Sequence, residues 1–161
     1  VLHRRFDRLG RLVGDANMTK LMQAHVMVIG LGGVGSFAAE SLMRSGIGKI
    51  TLVDFDDICI TNTNRQLHAL QGLVGRKKAE VMGERMCKIN PQAQVKVLAM
   101  FYNAENCESI FSDRPDYVVD AIDNLTAKAH LIDYCRRQGI PIISSTGAAA
   151  RLDPQKVKIS D

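Results

Sequence analysis

The sequence HVMVIGLGGVGSFAAESLMRSG, residues 25–46, passes from a short apolar run through a group of glycines into apolar residues at helical spacing. The apolar run predicts a buried strand, and the last part predicts a helix that stops at Gly46 and Gly48. Between them the pattern G-x-G-x-x-G is fitted by Gly30, Gly32, Gly33 and Gly35. Glycines in such a turn let the backbone approach a phosphate at a helix N-terminus. The pattern predicts a nucleotide-binding loop, and the alternative is a glycine turn that only packs tightly.

Strand-like and helix-like segments alternate along the rest of the chain. Apolar runs predict strands over 25–33, 49–56, 94–100, 116–123 and 140–148. Helical spacing predicts helices over 17–23, 35–46, 76–91, 103–115 and 124–139, with Asn103 as the cap of the fourth. This alternation favours an α/β fold: a doubly wound, Rossmann-like, mostly parallel sheet with helices on both faces. Residues 1–161 fit one domain. Because 150–161 predict a loop and the start of another strand, we expect a fragment that lacks a C-terminal part.

Composition limits the class of protein. The 161 residues are 46% hydrophobic and 24% charged, with a net charge of +4. No apolar run approaches the ~20 residues that span a bilayer, and the arginine-rich start has no apolar signal segment, so a cytoplasmic protein without a membrane partner is expected. Four cysteines without a C-x-x-C pair predict reduced thiols rather than a zinc site or disulfides. The mild basicity suits an anionic substrate or nucleic acid without selecting either.

Polar residues follow the predicted strands where ligands of such sheets bind. Asp54 comes roughly 20 residues after the glycine loop, where a carboxylate is expected to accept hydrogen bonds from ribose hydroxyls. This placement is common to NAD enzymes and to some ATP enzymes. The chain has no G-x-x-x-x-G-K-[ST] loop, so cations for a triphosphate must come from elsewhere. Arg65 and Lys78 are the candidates, whereas Arg76 and Lys77 fit solvated surface charges.

Asp123 and Asn124 end the predicted fourth strand. A carboxylate at this edge of the sheet could hold Mg²⁺ between phosphates. The same pair could instead cap the helix that begins at Leu125. Local spacing leaves the two interpretations even.

Five motifs in order resemble one family. They are RRFDRLGRLVG, GLGGVGS, LVDFDDICITNTNRQ, GRKKAE and DAIDN, and together they resemble the ubiquitin-activating-enzyme-like adenylating family, the MoeB/ThiF superfamily. The resemblance implies a single ATP-binding adenylation domain in which a substrate carboxylate attacks the α-phosphate of ATP. By motif position it implies ribose binding by Asp54, Mg²⁺ binding by Asp123, and nucleotide or phosphate contacts from Asn62, Arg65, Lys78 and Asn124. It also implies a homodimer in which Arg8 reaches the γ-phosphate of the neighbouring subunit.

Three longer segments narrow the resemblance. Residues 5–21, 45–70 and 144–161 are most similar to the branch that adenylates threonylcarbamoyladenosine in tRNA and lets it cyclise with loss of water. The resemblance implies a tRNA partner and a sulfur-relay protein partner. Three alternatives stay open. They are adenylation of the C-terminal glycine of a sulfur-carrier or ubiquitin-like protein, an NAD-dependent oxidoreductase, and a non-catalytic nucleotide-binding module. The oxidoreductase leaves Arg65 and Lys78 without a purpose.

Overall fold

Five parallel strands form one sheet in the computed structural model, which describes residues 4–147 and 152–160. The strands are β1 (His25–Ile29), β2 (Lys49–Val53), β3 (Gln94–Leu98), β4 (Tyr117–Asp120) and β5 (Ile142–Ser144). Their spatial order is β3-β2-β1-β4-β5. Val28 of β1 is in register with Leu52 of β2 on one side and with Val119 of β4 on the other. Because the winding direction reverses between β1 and β4, a crevice opens there at the carboxyl ends of the strands.

Six α-helices of the described residues cover the two faces of the sheet or precede it. They are α1 (Asp7–Val13), α2 (Asp15–Gln23), α3 (Gly35–Arg44), α4 (Lys78–Ile89), α5 (Cys107–Ile110) and α6 (Leu125–Gln138). Short 3-10 turns occur at Arg4–Phe6, Ile60–Asn62 and Pro154–Lys156. The predicted α/β doubly wound architecture is confirmed. No helix among the described residues is long and apolar enough to cross a membrane.

Two apolar cores explain the order of the layers. On one face, α3 and α4 pack against β1 and β2 through Met43, Met82 and Met86. On the other face, α5 and α6 pack through Ile110 and Leu131 against residues of β1 and β4. All five side chains are fully buried, and each contributes about 1.5–3 kcal/mol by leaving water. Burial on both faces explains why the strands read as continuous apolar runs.

Several predicted boundaries were too wide. The helix predicted over 103–115 is only Cys107–Ile110, with Asn106 and not Asn103 as its N-cap. Asn103 instead accepts bonds from the N–H groups of Glu105 and Asn106 and forms a turn before the helix. The helix predicted from residue 76 begins at Lys78, because Lys77 is drawn into an isolated antiparallel bridge with Asp57.

The last two predicted strands were also wrong in extent. β4 ends at Asp120 rather than at residue 123, because the Asp120 carboxylate accepts a bond from the N–H of Ile122 and turns the chain. β5 ends at Ser144. The strand expected near the C-terminus is absent from residues 152–160, where the 3-10 turn Pro154–Lys156 stands instead. Residues 148–151 and 161 lie outside the described part.

Candidate functional site

The glycine loop connects β1 to α3 at the crevice. Gly30 has φ 88°, and a Cβ there would lie 2.6 Å from the carbonyl oxygen of Ala121, in the loop after β4. A Cβ at Gly35 would lie 1.7 Å from the oxygen of Gly30, so only glycine fits this turn. An added Cβ at Gly32 would meet no atom closer than 4.0 Å. No side chain caps α3, and the N–H groups of Ser36 and Ala38 bond to the oxygens of Gly32 and Val34. The N–H groups of Gly35 and Phe37 are therefore the ones in the first turn that can meet an anion.

Asp54 joins the end of β2 to this loop. Its Oδ2 accepts a 2.6 Å bond from the N–H of Leu31, and its Oδ1 accepts a 2.8 Å bond from the N–H of Asp56. The side chain is buried. Burial raises the pKa of Asp54, and the two N–H donors and the charge of Lys78 oppose that rise. Each carboxylate oxygen can accept a second bond, which leaves capacity for hydroxyl groups.

Lys78 enters the crevice as the first residue of α4. Only 5% of the residue is exposed, and its Nζ lies 2.7 Å from Oδ2 of Asp56. The Asp56 side chain is 45% exposed, so the buried ammonium is balanced by a carboxylate at the surface. Lys77, the residue before it, is instead half-exposed and paired with Asp57 at 2.8 Å. Of these two lysines, only Lys78 therefore provides a buried cation near Asp54.

Arg65 covers the glycine loop. A Cβ built at Gly33 would lie 3.4 Å from Cγ of Arg65, so the arginine stem packs on the loop. Its Nη1 donates to the oxygen of Thr61 at 3.2 Å and to Oδ1 of Asn64 at 2.8 Å, and the residue is exposed. The guanidinium is thus oriented by two acceptors, and its other N–H groups can reach an anion above the loop.

Asn62 shapes the turn that presents Arg65. It is buried, and its Oδ1 accepts a 3.0 Å bond from the N–H of Cys59, which closes the 3-10 turn. The Nδ2 group of Asn62 remains as a donor. This side chain therefore has a structural role beside the predicted one.

Asp123 and Asn124 differ in what they contact. Oδ1 of Asn124 accepts a 2.9 Å bond from the N–H of Ala127 and caps α6, as the capping interpretation predicts. Asp123 is exposed, and within residues 4–147 and 152–160 no side chain pairs with its carboxylate. No group of three or more metal-binding side chains occurs in the part of the chain described. A single carboxylate still fits Mg²⁺, which commonly takes one or two carboxylates together with substrate phosphates.

Arg8 is exposed on α1, two residues after Phe6. A Cβ built at Gly46 would lie 3.4 Å from the Phe6 ring. Phe6 therefore packs just beyond the C-terminal end of α3. α3 has ten residues, about 15 Å of helix. The structure therefore does not bring Arg8 to the glycine loop of the same chain.

Sequence reasoning missed a buried ion pair at the edge of the crevice. Nζ of Lys128 lies 2.7 Å from Oδ2 of Asp120, 3.2 Å from Oγ of Ser144 and 2.9 Å from the oxygen of Ser145. Asp120 is completely buried and Lys128 is 6% exposed. The signal was present in the sequence, because Lys128 occupies the apolar stripe of α6 with Leu131.

A second missed group lies in the segment that follows Arg65. His68 is 1% exposed, and its Nε2 is 3.0 Å from Oε1 of Gln66. Its buried Nδ1 has no partner among the described residues. Burial, with a smaller effect of the Lys78 charge, lowers the pKa of His68 to about 4, so the ring is neutral at pH 7. The alternation of QLHAL gives no sign that this histidine is buried.

An aromatic pair stands at the carboxyl ends of β2 and β3. The rings of Phe55 and Phe101 meet edge to face, with centroids 5.0 Å apart. They are 49% and 39% exposed. Because Phe55 directly follows Asp54, the pair adds an apolar wall to the polar site.

The cysteines take no part in this site beyond local packing. All four are free thiols, with Cys107 and Cys135 buried and Cys59 and Cys87 exposed. Burial raises the pKa of Cys135 to about 11, and hydrogen bonding by Thr61 lowers the pKa of Cys59.

Comparison with known proteins agrees with this geometry. The chain is 48% identical to the tRNA threonylcarbamoyladenosine dehydratase of Escherichia coli over 98% of its length. It is also 48% identical to the enzyme of that name from Bacillus subtilis over its whole length. The E. coli molybdopterin-synthase adenylyltransferase is 30% identical over 84% of the chain and is covered over 53% of its own length. A crystal structure of the E. coli dehydratase in complex with ATP superposes with a TM-score of 0.96 at 48% identity, covering 98% of this chain and 65% of that one.

The chain is shorter than these relatives. It spans 59% of the E. coli dehydratase and 63% of the B. subtilis protein. The sequence profile of the ThiF family matches residues 6–158, which include the glycine loop, Asp54, Lys78 and the segment after β4. On this match, which covers almost the whole chain, the protein is a member of the ThiF family.

Proposed function

We propose that this protein binds ATP and adenylates the carboxylate of threonylcarbamoyladenosine in tRNA, and that the activated nucleoside then cyclises with net loss of water. The observation that carries the proposal is the buried Lys78 ammonium beside Asp54 at an uncapped glycine loop. A dehydrogenase site does not require a cation there. The relatives named dehydratases and the ATP complex of the E. coli enzyme support the substrate and the nucleotide.

The side chains divide the work of holding ATP. Asp54 accepts bonds from the ribose hydroxyls with the lone pairs that Leu31 and Asp56 leave free. The Phe55 and Phe101 rings offer an apolar surface next to the ribose for the adenine base. The N–H groups at the start of α3 face the phosphates.

Cations then neutralise the reacting phosphates. Lys78 turns from Asp56 towards the phosphate chain, and Arg65 reaches it from above Gly33. Asn62 donates its Nδ2 group to the same region. Such preorganised donors stabilise charge that builds up in the transition state, and the reaction needs little covalent chemistry from the protein.

The reaction proposed has two bond exchanges. A carboxylate oxygen of the substrate attacks the α-phosphorus, the bond to the β-phosphate bridging oxygen breaks, and pyrophosphate leaves. A nucleophile within the same modified nucleoside then attacks the activated carbonyl carbon and displaces AMP. One oxygen of the carboxylate departs with AMP, so the nucleoside loses the elements of water overall.

Asp123 is the proposed ligand of Mg²⁺, and Asn124 lies beside it as the cap of α6. Bound Mg²⁺ supplies neutralisation of charge on the phosphates and the leaving pyrophosphate. The exposed Asp123 carboxylate is free to accept such a cation. Asn124 fixes the start of α6 and so limits the positions that Asp123 can take.

The remaining proposals concern assembly and location. We propose a homodimer in which Arg8 completes the site of the neighbouring subunit, since Phe6, two residues before it, packs beyond the end of α3 that is opposite to the glycine loop. A tRNA substrate is consistent with the net charge of +4. A cytoplasmic location, one adenylation domain over residues 1–161 and a sulfur-relay partner belong to the same proposal.

The second candidate function is adenylation of the C-terminal glycine of a sulfur-carrier protein. It is favoured by the 30% identity with the molybdopterin-synthase adenylyltransferase. The higher identity with the dehydratases favours the tRNA nucleoside. Family membership and these relatives count against the oxidoreductase alternative.

The deciding experiment measures release of AMP and pyrophosphate from ATP. The protein is incubated with tRNA that carries threonylcarbamoyladenosine, with the same tRNA lacking the modification, or with a sulfur-carrier protein. We expect release only with the modified tRNA, and loss of one water mass from its nucleoside. Release with the carrier protein alone would overturn the proposal in favour of the second candidate.

A further inference from the structure

A second concave surface lies at the far end of α3 and α4. It encloses about 440 Å³ and is lined by Arg5, Phe6, Arg44, Arg85, Lys88 and Ile89. Four of these six residues are cationic, and none is acidic. We call this surface the basic cavity. It contains no residue of the proposed ATP site.

The guanidinium groups of the basic cavity are held in place. Glu40, whose side chain is only 12% exposed, accepts from Nη2 of Arg44 at 2.8 Å and from Nη2 of Arg85 at 3.1 Å. Nη1 of Arg5 donates to the carbonyl oxygen of Ile89 at 2.6 Å. A guanidinium has five N–H donors, so the bonds to Glu40 orient the Arg44 and Arg85 groups and leave other donors for a ligand. Arg44 and Arg85 remain 59% and 36% exposed for that purpose.

The basic cavity keeps a positive charge after its internal pairing. The hydrogen bond from Arg85 lowers the pKa of Glu40, so the carboxylate is ionised at neutral pH. Glu40 contacts two arginines, Arg44 and Arg85, and can neutralise only one of them, so this group keeps a net positive charge. Arg44 and Lys88 stand in the last turns of α3 and α4, where cations also favour the helix dipole. That effect does not account for Arg5 or Arg85, or for the concave shape.

The two helices connect the basic cavity to the proposed ATP site. α3 begins at Gly35 in the glycine loop and ends at Arg44, and α4 begins at Lys78 and contains Lys88 near its end. Ten residues of helix span about 15 Å. Along a nucleic-acid strand this distance is about four phosphate steps of roughly 3.4 Å. An RNA stem with its target nucleoside in the crevice therefore has phosphates within reach of the basic cavity.

We propose that the basic cavity binds backbone phosphates of the tRNA substrate, a role that rests on the proposed function. Arginine forks match the oxygens of a phosphate, and a buried carboxylate that sets two of them at fixed angles preorganises the contact. Phosphate contacts position an RNA without reading its sequence. The basic cavity thus holds the stem while the crevice selects the modified nucleoside.

The test compares two variants with the same loss of charge. Arg44→Gln combined with Lys88→Gln removes two cations and leaves Arg85 paired with the buried Glu40 carboxylate. The control, Arg136→Gln combined with Arg137→Gln, removes two cations from the last turn of α6. Binding of an anticodon stem-loop RNA is measured by fluorescence anisotropy over a salt series, and the size of each protein is measured by light scattering.

We expect the slope of log affinity against log salt to be smaller by about 1.4–1.8 in the cavity variant. Each phosphate contact contributes about 0.7–0.9 to this slope, and the variant loses two contacts. Referred to 1 M salt, this is a loss of roughly 25- to 60-fold in affinity at 0.1 M. The control variant should keep the wild-type slope. Equal effects of the two variants, or no effect of either, would overturn the inference.

Two further outcomes separate this inference from the function. If the cavity variant changes its oligomeric state but keeps the wild-type salt slope, the basic cavity is a contact between subunits. That result would overturn the inference. The wild-type protein could also bind the stem-loop through the basic cavity and yet release no AMP in the presence of tRNA. That result would overturn the proposed function and leave the inference about the basic cavity standing.

Discussion

The Oδ2 atom of Asp54 accepts a 2.6 Å hydrogen bond from the backbone N–H of Leu31. The acid at the end of β2 therefore fixes the glycine loop at the end of β1. A side chain expected to contact ribose also sets the shape of the phosphate-binding turn. Loss of this carboxylate should weaken the nucleotide site in two ways at once.

Asp54→Ala tests that double role. It leaves the N–H groups of Leu31 and Asp56 without their acceptor, each at a cost of about 1–3 kcal/mol, and it removes the proposed ribose contact. We expect lower stability in urea unfolding and at least about a tenfold loss of ATP affinity by calorimetry. Asp54→Asn keeps one acceptor oxygen and should lose affinity with a smaller loss of stability. Asp57→Asn, on an acid that faces solvent, is the control. Wild-type affinity in both Asp54 variants would refute the ribose contact.

Lys78→Met should reduce AMP release by about 10²-fold, because it removes the buried cation that we propose contacts the phosphates. Lys77→Met is the matched control, since the adjacent lysine is half-exposed and bonded to Asp57 and the oxygen of Phe55. We expect the control to retain most of its activity. Similar losses in the two variants would mean that the start of α4 needs charge in general and not the Lys78 ammonium.

The buried pair of Asp120 and Lys128 predicts a stability effect away from the reacting groups. Lys128→Met should lower the free energy of unfolding by about 3–5 kcal/mol, because the Asp120 carboxylate is left buried without its cation. Combining it with Asp120→Asn should recover part of the loss. Urea unfolding of the two single variants and the double variant gives the coupling free energy. A coupling near zero would contradict the ion pair.

His68 predicts a dependence of stability on acid. Its pKa is about 4 in the folded protein against 6.5 for an ordinary histidine, so below pH 6.5 the unfolded chain takes up a proton that the folded one does not. The unfolding free energy therefore has its full value with respect to His68 above pH 6.5, and it falls as the pH drops towards 4. Between pH 7.5 and 5 this residue should contribute a loss of about 2 kcal/mol in unfolding free energy.

His68→Gln should remove that contribution while the other groups continue to titrate. The measurement is the unfolding free energy of both proteins at pH 7.5 and pH 5. The wild-type protein should lose more stability than the variant does. An equal loss in the two proteins would mean that folding does not lower the pKa of His68.

Mixed dimers test Arg8 and Asp123 together. Arg8→Ala and Asp123→Ala homodimers should each be inactive in Mg²⁺-dependent AMP release, with their unfolding curves little changed because both residues are exposed. After random exchange of subunits half of the dimers are mixed, and each mixed dimer has one intact site if Arg8 acts across the interface. Activity of about a quarter of wild type is then expected. Mixed dimers of verified size without activity would exclude action across the interface.

The sequence was sufficient for those parts that depend on local patterns. The glycine loop, the alternation of elements and the position of Asp54 follow from apolar periodicity and glycine spacing, and the structure agrees with them. The pairing of Lys78 with Asp56 and of Lys128 with Asp120 joins residues 22 and 8 positions apart. Such contacts arise from packing of α4 and α6 on the sheet, which no local spacing reveals.

The ends of elements were predicted less well for the same reason. Asp120 ends β4 because its carboxylate serves Lys128 and the N–H of Ile122, and Lys77 delays α4 because it pairs with Asp57. Asn103 and Asn106 lie three residues apart and both can cap, so only the folded backbone distinguishes them. In each case the side chain has several possible hydrogen-bond partners, and contacts with residues from other elements decide which partner it takes.

Gly30 lies so close to the carbonyl oxygen of Ala121 that the loops on the two sides of the crevice are mechanically coupled. The loop that follows β1 touches the loop that leads to Asp123, with no side chain between them to absorb a shift. If phosphate binding shifts the glycine loop, we expect the loop after β4 to shift with it because the two are in contact. We therefore expect ATP and Mg²⁺ to bind cooperatively, each raising the affinity of the protein for the other by the same factor.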